Sequence, residues 1–161
     1  LLAKHTDHEI EELDLVETSL IEQVQSFGNV SSKDFARKMS SMDMHLMLKN
    51  KISGLPHVGS VVLINSNGTL LNDSLEWPIP AINVTDRDYF TAFKSDAQLT
   101  SFVSKPMRGR RTGNWVIAFA RKITAPNGEF LGVVFGTIDL QYFKQFFTSV
   151  VLSEGSSISL L

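Results

Sequence analysis

The segment from Phe130 to Asp139, FLGVVFGTID, sets the first constraint on the fold. It follows Asn127-Gly128, a dipeptide that marks tight hairpins, and it is rich in β-branched and aromatic residues. At the two-residue period of a strand, Phe130, Val134 and Ile138 take one face, and Leu131, Val133 and Phe135 take the other. A strand that is apolar on both faces has to be covered on both faces. The fold therefore needs a central sheet and two separate covers.

The rest of the chain supplies both. Residues 4–27 read as a long helix in which Leu13, Val16, Leu20, Val24 and Phe27 share one face. Ser31 or Ser32 caps a second helix with the stripe Phe35, Met39, Met42, Leu46 and Met47, ended by Gly54 and Pro56. These helices can cover one face of the sheet. Val58 to Asn65 reads as a strand, Asn67-Gly68 as a hairpin turn, and Thr69 to Asn72 as the returning strand. Residues 74–85 carry Pro78 and Pro80 and read as an irregular connection. Asp86 can cap a short helix reaching about Ser95, and Leu99 to Lys105 reads as a third strand. Residues 107–113 read as a polar loop, and Asn114 to Ile123 as the strand before the Asn127-Gly128 turn. A short closing helix is expected from Asp139 to about Val150, followed by a further strand from Ser157. This order alternates too little for parallel βαβ units. It predicts an α+β fold with a central antiparallel sheet of about five strands. The second cover is then the 74–113 segment, and a sheet roofed by irregular chain is a natural place for a pocket.

Composition removes several function classes. The 161 residues include no cysteine, which excludes thiol catalysis, cysteine-ligated zinc and disulfides. A formal net charge of -2 gives no global basic field for nucleic acid. No apolar run reaches the roughly 20 residues of a membrane span. No Gly-x-Ser-x-Gly, His-Glu-x-x-His or Walker loop is present. His5 and His8, three apart on the first helix, have a metal-compatible spacing but read as solvated, and no metal or cofactor is expected. Arg108, Arg110 and Arg111 lack the ending of a phosphate loop and read as a solvated loop or lid.

An ordered set of motifs resembles the Cache domains, extracytoplasmic relatives of the PAS fold. Thr85-Asp86-Arg87-Asp88-Tyr89-Phe90 looks like their helix start. Ser104-Lys105-Pro106, then Gly113-Asn114-Trp115-Val116-Ile117, then Ala120-Arg121-Lys122-Ile123 follow in the family's order. Asn127 to Val134 is similar to the family's last hairpin, and Thr137-Ile138-Asp139-Leu140 with Tyr142-Phe143 to the opening of its closing helix. The resemblance covers nearly the whole chain. It implies a membrane-distal PAS-like lobe at 56–152, a helical segment at 1–55, and the start of a second lobe or a C-terminal tail at 153–161. It also implies a non-enzymatic sensor of small molecules outside a bacterial inner membrane, with flanking transmembrane helices absent from this chain. The implied output is a histidine kinase, a diguanylate cyclase or a chemoreceptor module.

In carboxylate- and amino-acid-binding relatives, the arginine at the place of Arg87 contacts the ligand carboxylate, for which a guanidinium fork is well shaped. Asp88 stands where relatives often carry proline, so it either neutralises Arg87 or binds a cationic ligand. Tyr89 and Phe90 are divided between pocket wall and core anchor. Asp139 takes a ligand ammonium in amino-acid-binding relatives, or caps the closing helix. Arg121 and Trp115 share a strand face with Ile117 and Phe119 and are candidate pocket walls. Phe102 and Ser104 are candidates for shape and a hydroxyl. Two other readings stay open. One is a spacer that dimerises through the Leu13 stripe and has a filled core. The other is a small hydrolase, which would need a nucleophile and base within hydrogen-bond reach.

Overall fold

The structure is a computed structural model that describes residues 2–109 and 113–141, with side chains from Ile10 onward. The expected closing helix beyond Gln141, with Tyr142 and Phe143, the 153–161 segment, Arg110, Arg111 and the side chains of His5 and His8 lie outside the described residues.

Helix α1 spans Leu2–Gln25. The expected second helix is two helices, α2 (Ser32–Met39) and α3 (Met42–Lys51). The break arises because two serines compete as caps. Ser31 Oγ accepts from the Asp34 N–H at 3.1 Å, and Ser41 Oγ accepts from the Met44 N–H at 3.1 Å. Restarting the helix at Ser41 resets its phase. Phe35 and Met39 are buried from α2, and Met44, His45 and Leu48 from α3. Met42 and Leu46, expected in the stripe, are exposed at 44% and 54%.

The strands are β1 (Val58–Asn65), β2 (Leu70–Asp73), β3 (Ser101–Val103), β4 (Met107–Arg108), β5 (Trp115–Thr124) and β6 (Phe130–Asp139). Helix α4 (Asp88–Ser95) joins the β2 region to β3. The sheet is antiparallel, in the order β2-β1-β6-β5-β3, with β4 also paired to β5. The 107–113 stretch is therefore not wholly loop. Arg87, not Asp86, stands at the N-cap of α4, and it makes no side-chain cap bond.

Both faces of the sheet are covered. Leu13, Leu20 and Val24 of α1 pack with Phe119, Ile123, Leu131 and Ile138 on one face. Val84, Tyr89, Phe90 and Phe93 pack with Val62, Val133 and Phe135 on the other. Leu13, Leu20 and Val24 of the stripe are thus covered by the sheet of their own chain, while Phe27 at its end is 38% exposed.

The alternation along β6 differs from expectation at one point. Ile123 pairs with Gly132 and Thr124 with Phe130, leaving Leu131 as an extra residue. This bulge puts Leu131 on the α1 face with Val134 and Ile138, and Phe130 on the other face with Val133 and Phe135. Gly132 is the residue the bulge requires, since a Cβ there would stand 2.1 Å from the Ile64 carbonyl oxygen. Gly132→Ala is expected to destabilise the domain by about 2 kcal/mol or more, read as a lower urea midpoint with an unchanged slope.

The α1 seam also holds a carboxylate. Glu17 is fully buried, and neither of its oxygens has a hydrogen-bond partner of normal geometry among the described residues. Burial pushes its pKa well above the ordinary value of 4.5, and the nearby Asp14 charge adds to this. Arg121 and the Gly136 N–H work against the rise. A raised folded-state pKa means that stability held at low pH is lost as pH climbs above 4.5 toward the folded value. Glu17→Gln is therefore expected to match the wild-type melting temperature near pH 4 and to exceed it by a growing margin toward pH 7. A parallel pair of melting curves checks this.

Candidate ligand-binding cavity

A cavity of about 320 Å³ opens between the α4 face of the sheet and the chain that crosses it between β2 and β5. Its floor is Val62 of β1, Val116 of β5 and Phe135 of β6, and Leu70 and Val84 add to the apolar lining. The polar groups sit around this apolar waist. They include Arg87 and Tyr89 from α4, Asp73 from β2, Ser60 from β1, and Thr137 and Asp139 from β6.

Local structure places each group. Val84 O accepts from Arg87 N–H at 3.0 Å, which fixes the backbone at the α4 start. The Arg87 guanidinium reaches across to β4, where Nη2 donates to Arg108 O at 2.9 Å. Arg108 in turn lies over the Trp115 ring at 5.0 Å and donates from Nη1 to Gly113 O at 2.9 Å. Trp115 is half-exposed and outside the lining, so it bears on the cavity only through Arg108 and Arg87. Tyr89 is 1% exposed and tilts against Phe135 with ring centroids 4.8 Å apart. The hydroxyls of Ser60 and Thr137 are bonded to each other at 2.9 Å. Asp139 Oδ1 accepts from Gln141 N–H at 2.8 Å, and the residue also lines the cavity.

Of the nine residues expected at the site, the structure brings Arg87, Tyr89 and Asp139 to the cavity and leaves six outside it. Asp88 binds the N–H groups of Tyr89 and Lys105 at 2.8 and 3.2 Å, which fastens α4 to the end of β3. Phe90 is core, and Phe102 packs against the same cluster. Ser104 Oγ accepts from Ala118 N–H and donates to Lys105 O, both backbone bonds. Arg121 points to the opposite face, where its Nε and Nη2 grip both oxygens of Asp14 on α1. Asp14 holds the Arg121 guanidinium still more firmly charged than usual.

Sequence reasoning missed Ser60, Asn114 and Thr137 among the polar lining residues and, of the charged ones, Asp73. A bulge hides it, because Leu63 pairs with Asn72 but Ile64 pairs with Leu70, and Leu71 is extra. That shift brings Leu70 and Asp73, three apart, to the same face, which plain alternation forbids. Asn72 faces the other way and donates to Met39 O and Ser41 O at 2.8 and 3.0 Å. His45 Nδ1 lies 2.6 Å from Asp73 O, so β2 is pinned to the α2–α3 junction. No group of three metal-ligating side chains occurs among the described residues.

No family model and no curated protein matches the chain. Solved structures do. The extracellular domain of the histidine kinase candidate rpHK1S-Z16 superposes with a TM-score of 0.76 at 26% identity, over 92% of this chain and 57% of that one. The fold is that of a Cache sensor domain. An extracellular ligand-binding receptor from Desulfohalobium retbaense gives a TM-score of 0.73 at 12% identity, over 93% of this chain and 26% of that one. The ligand-binding domain of the Pseudomonas aeruginosa amino-acid chemoreceptor PctC, in complex with GABA, gives 0.62 at 18% identity, over 89% and 61%. The chain thus spans less than two thirds of each of these relatives. The described residues have the α+β, PAS-like architecture that the sequence implied. No helix among its described residues is long and apolar enough to cross a membrane.

Arg121 and Arg87 should separate experimentally. Arg121→Ala is expected to lower stability by about 1–2 kcal/mol, the scale of a charge-assisted bond that is partly solvent-screened. It should leave the occupancy of the cavity unchanged. Urea unfolding and calorimetric ligand titration of the same variant check both halves.

Proposed function

We propose that this chain is the extracytoplasmic small-molecule-sensing part of a bacterial transmembrane signalling protein, and that its ligand is a carboxylate- or amino-acid-like metabolite. The observation that carries this reading is the placement of opposite charges at one end of the cavity. Asp139 pairs with Val116 across the β5–β6 ladder, and Val116 pairs with Met107 on β4. Arg108, next on β4, supplies the carbonyl that holds Arg87. A guanidinium and a carboxylate therefore stand at the same β4–β5–β6 end of the cavity, on either side of β5 and about two strand spacings apart, above an apolar floor. That arrangement suits the two charges of an α-amino acid head group, with Arg87 taking the carboxylate and Asp139 the ammonium. The cavity volume suits a small metabolite.

The same observation weighs against the other readings. A spacer has a filled core, and this domain has a lined cavity beside Arg87. A hydrolase needs a nucleophile with a base beside it. Among the described lining residues there is no histidine, and the Ser60 hydroxyl is bonded to Thr137.

Signalling follows as a shift of population. A ligand that bridges Arg87 and Asp139 joins α4 to the end of β6, and so favours the state in which the 74–113 segment closes on the sheet. β6 also carries the residues that pack on α1, so closure and α1 position are coupled. The ligand acts only through its differential affinity for the two states. The parent protein in this reading is an inner-membrane histidine kinase or diguanylate cyclase.

A thermal-shift screen of the purified chain against amino acids, organic acids, amines and sugars tests the assignment. A ligand at 100 times its Kd adds about 2.7 kcal/mol, which is roughly 5 °C or more in melting temperature. Arg87→Ala is expected to weaken an amino-acid ligand by about 10- to 100-fold, as loss of a charge-assisted pair does, while the variant stays folded. Unchanged affinity in that variant would sink the assignment.

A further inference from the structure

The floor of the cavity carries two hydroxyls that the head-group reading does not use. Local structure brings them together. β1 has an extra residue at Gly59, because Val58 pairs with Ile138 but Ser60 pairs with Thr137. This bulge sets Ser60 and Thr137 side by side in the cavity lining, with Ser60 Oγ 2.9 Å from Thr137 Oγ1. A Cβ at position 59 would stand 3.1 Å from Thr137 Oγ1, so glycine there keeps the hydroxyl uncrowded.

A cross-strand Ser–Thr pair can serve simply to tie two strands. Here the proton count points further. Two hydroxyls bring two protons, and their mutual bond uses one. Neither hydroxyl makes another hydrogen bond among the described residues. Ser60 is 5% exposed, and the same floor is built of Val62, Val116 and Phe135. In such surroundings a donor left unmade costs more than an unused lone pair. A ligand that fills the cavity must therefore bring an acceptor to this place.

Register says which part of the ligand that is. Thr137 and Asp139 both line the cavity and stand two residues apart on β6, about 7 Å along the strand. The head group lies toward β4, where Arg87 is held, and the hydroxyls lie on β6 and β1. The group that meets them is the side chain. A hydroxyl or amide oxygen accepts the proton, and an ammonium has no lone pair to do so. A second carboxylate accepts too, but it sets a like charge beside Asp139.

We propose that Ser60 and Thr137 form a side-chain subsite, and that the sensed molecule is an α-amino acid whose side chain is uncharged and carries a hydroxyl or amide oxygen. The assignment rests on the head-group reading of Arg87 and Asp139. It adds the side-chain class that the head group leaves open.

Calorimetric titration of the 161-residue chain tests it. The probes are L-threonine, L-asparagine and L-glutamine, each beside an apolar amino acid of similar shape: L-valine, L-leucine and L-methionine. In the tightest-binding pair the oxygen-bearing member is expected to bind about tenfold tighter or more, because an apolar side chain leaves the donor unmade. Ser60→Ala with Thr137→Val removes both hydroxyls and keeps a β-branched residue at 137. That double variant should bind the oxygen-bearing member about tenfold more weakly and the apolar member no more weakly than before. Equal affinity within the tightest pair in the wild-type chain would overturn the subsite and leave the head-group reading standing, and that comparison needs no variant. A preference retained in the folded double variant would overturn it as well. Binding of none of the probes, or binding undiminished in Arg87→Ala, would remove the subsite together with the head-group reading beneath it.

Discussion

The pairing of β1 with β6 holds the rest of this domain in place. β6 is flanked by β1 and β5, and it is apolar on both sides. Burying such a strand removes apolar surface twice over, at roughly 25 cal/mol per Å². The gain is realised only if helices lie on one face and the 74–109 chain lies on the other. Each cover depends on the same ladder. Leu13 of α1 packs where Gly136 has no side chain: a Cβ there would stand 2.4 to 2.9 Å from the Leu13 side chain. On the other face Tyr89 tilts against Phe135, one residue earlier on the same strand. Helix α1 and the cavity are thus one strand thickness apart, and neither can be repacked without the other registering it.

Much of this was legible in the chain. The bounds of β1 and β6, both hairpins, the two covers and the position of the cavity all follow from period-two patterning, Asn-Gly turns and the Cache-like motif order. What the pattern could not give was register. Without the bulge at Leu131, the β5–β6 hairpin would pair Arg121 with Val133 and put it on the face of Phe135 and Asp139. With the bulge, Arg121 pairs with Val134 and turns to α1. One extra residue therefore removes Arg121 and Trp115 from the cavity lining. A second extra residue, Leu71, brings Asp73 into it. Bulges leave little trace in composition, since their cause is a close backbone approach such as that of Gly132 to Ile64.

The misread second helix has a different origin. Both serine caps were visible, but the apolar spacing of Phe35, Met39, Met42 and Leu46 suits a single helix equally well. Tertiary contact decides between them. A break at Ser40-Ser41 turns Met39 O and Ser41 O toward β2, and the buried Asn72 amide donates to both, Ser41 O also taking the first ladder bond of α3 from His45 N–H at 3.1 Å. A buried amide needs such partners. The demand comes from β2, more than 30 residues away in the chain, and cannot be read from the helix itself.

The polar groups divide by face, and the division has a physical sense. The α1 face carries the Asp14–Arg121 pair and the buried Glu17, while the cavity face carries Arg87, Asp73 and Asp139. On the α1 face the charges are matched within the chain or, for Glu17, shifted toward the neutral form by burial. These interactions hold a helix against a sheet at a defined register, because a pair such as Asp14–Arg121 is lost if α1 slides by one turn. On the cavity face the charges are spread around an apolar waist. Each is held by backbone, Arg87 on Arg108 O, Asp73 on Leu75 N–H and Asp139 on Gln141 N–H, and all three line the cavity. Their arrangement makes sense when a molecule of complementary charge meets them, and β6 then carries the consequence to the face where α1 is held.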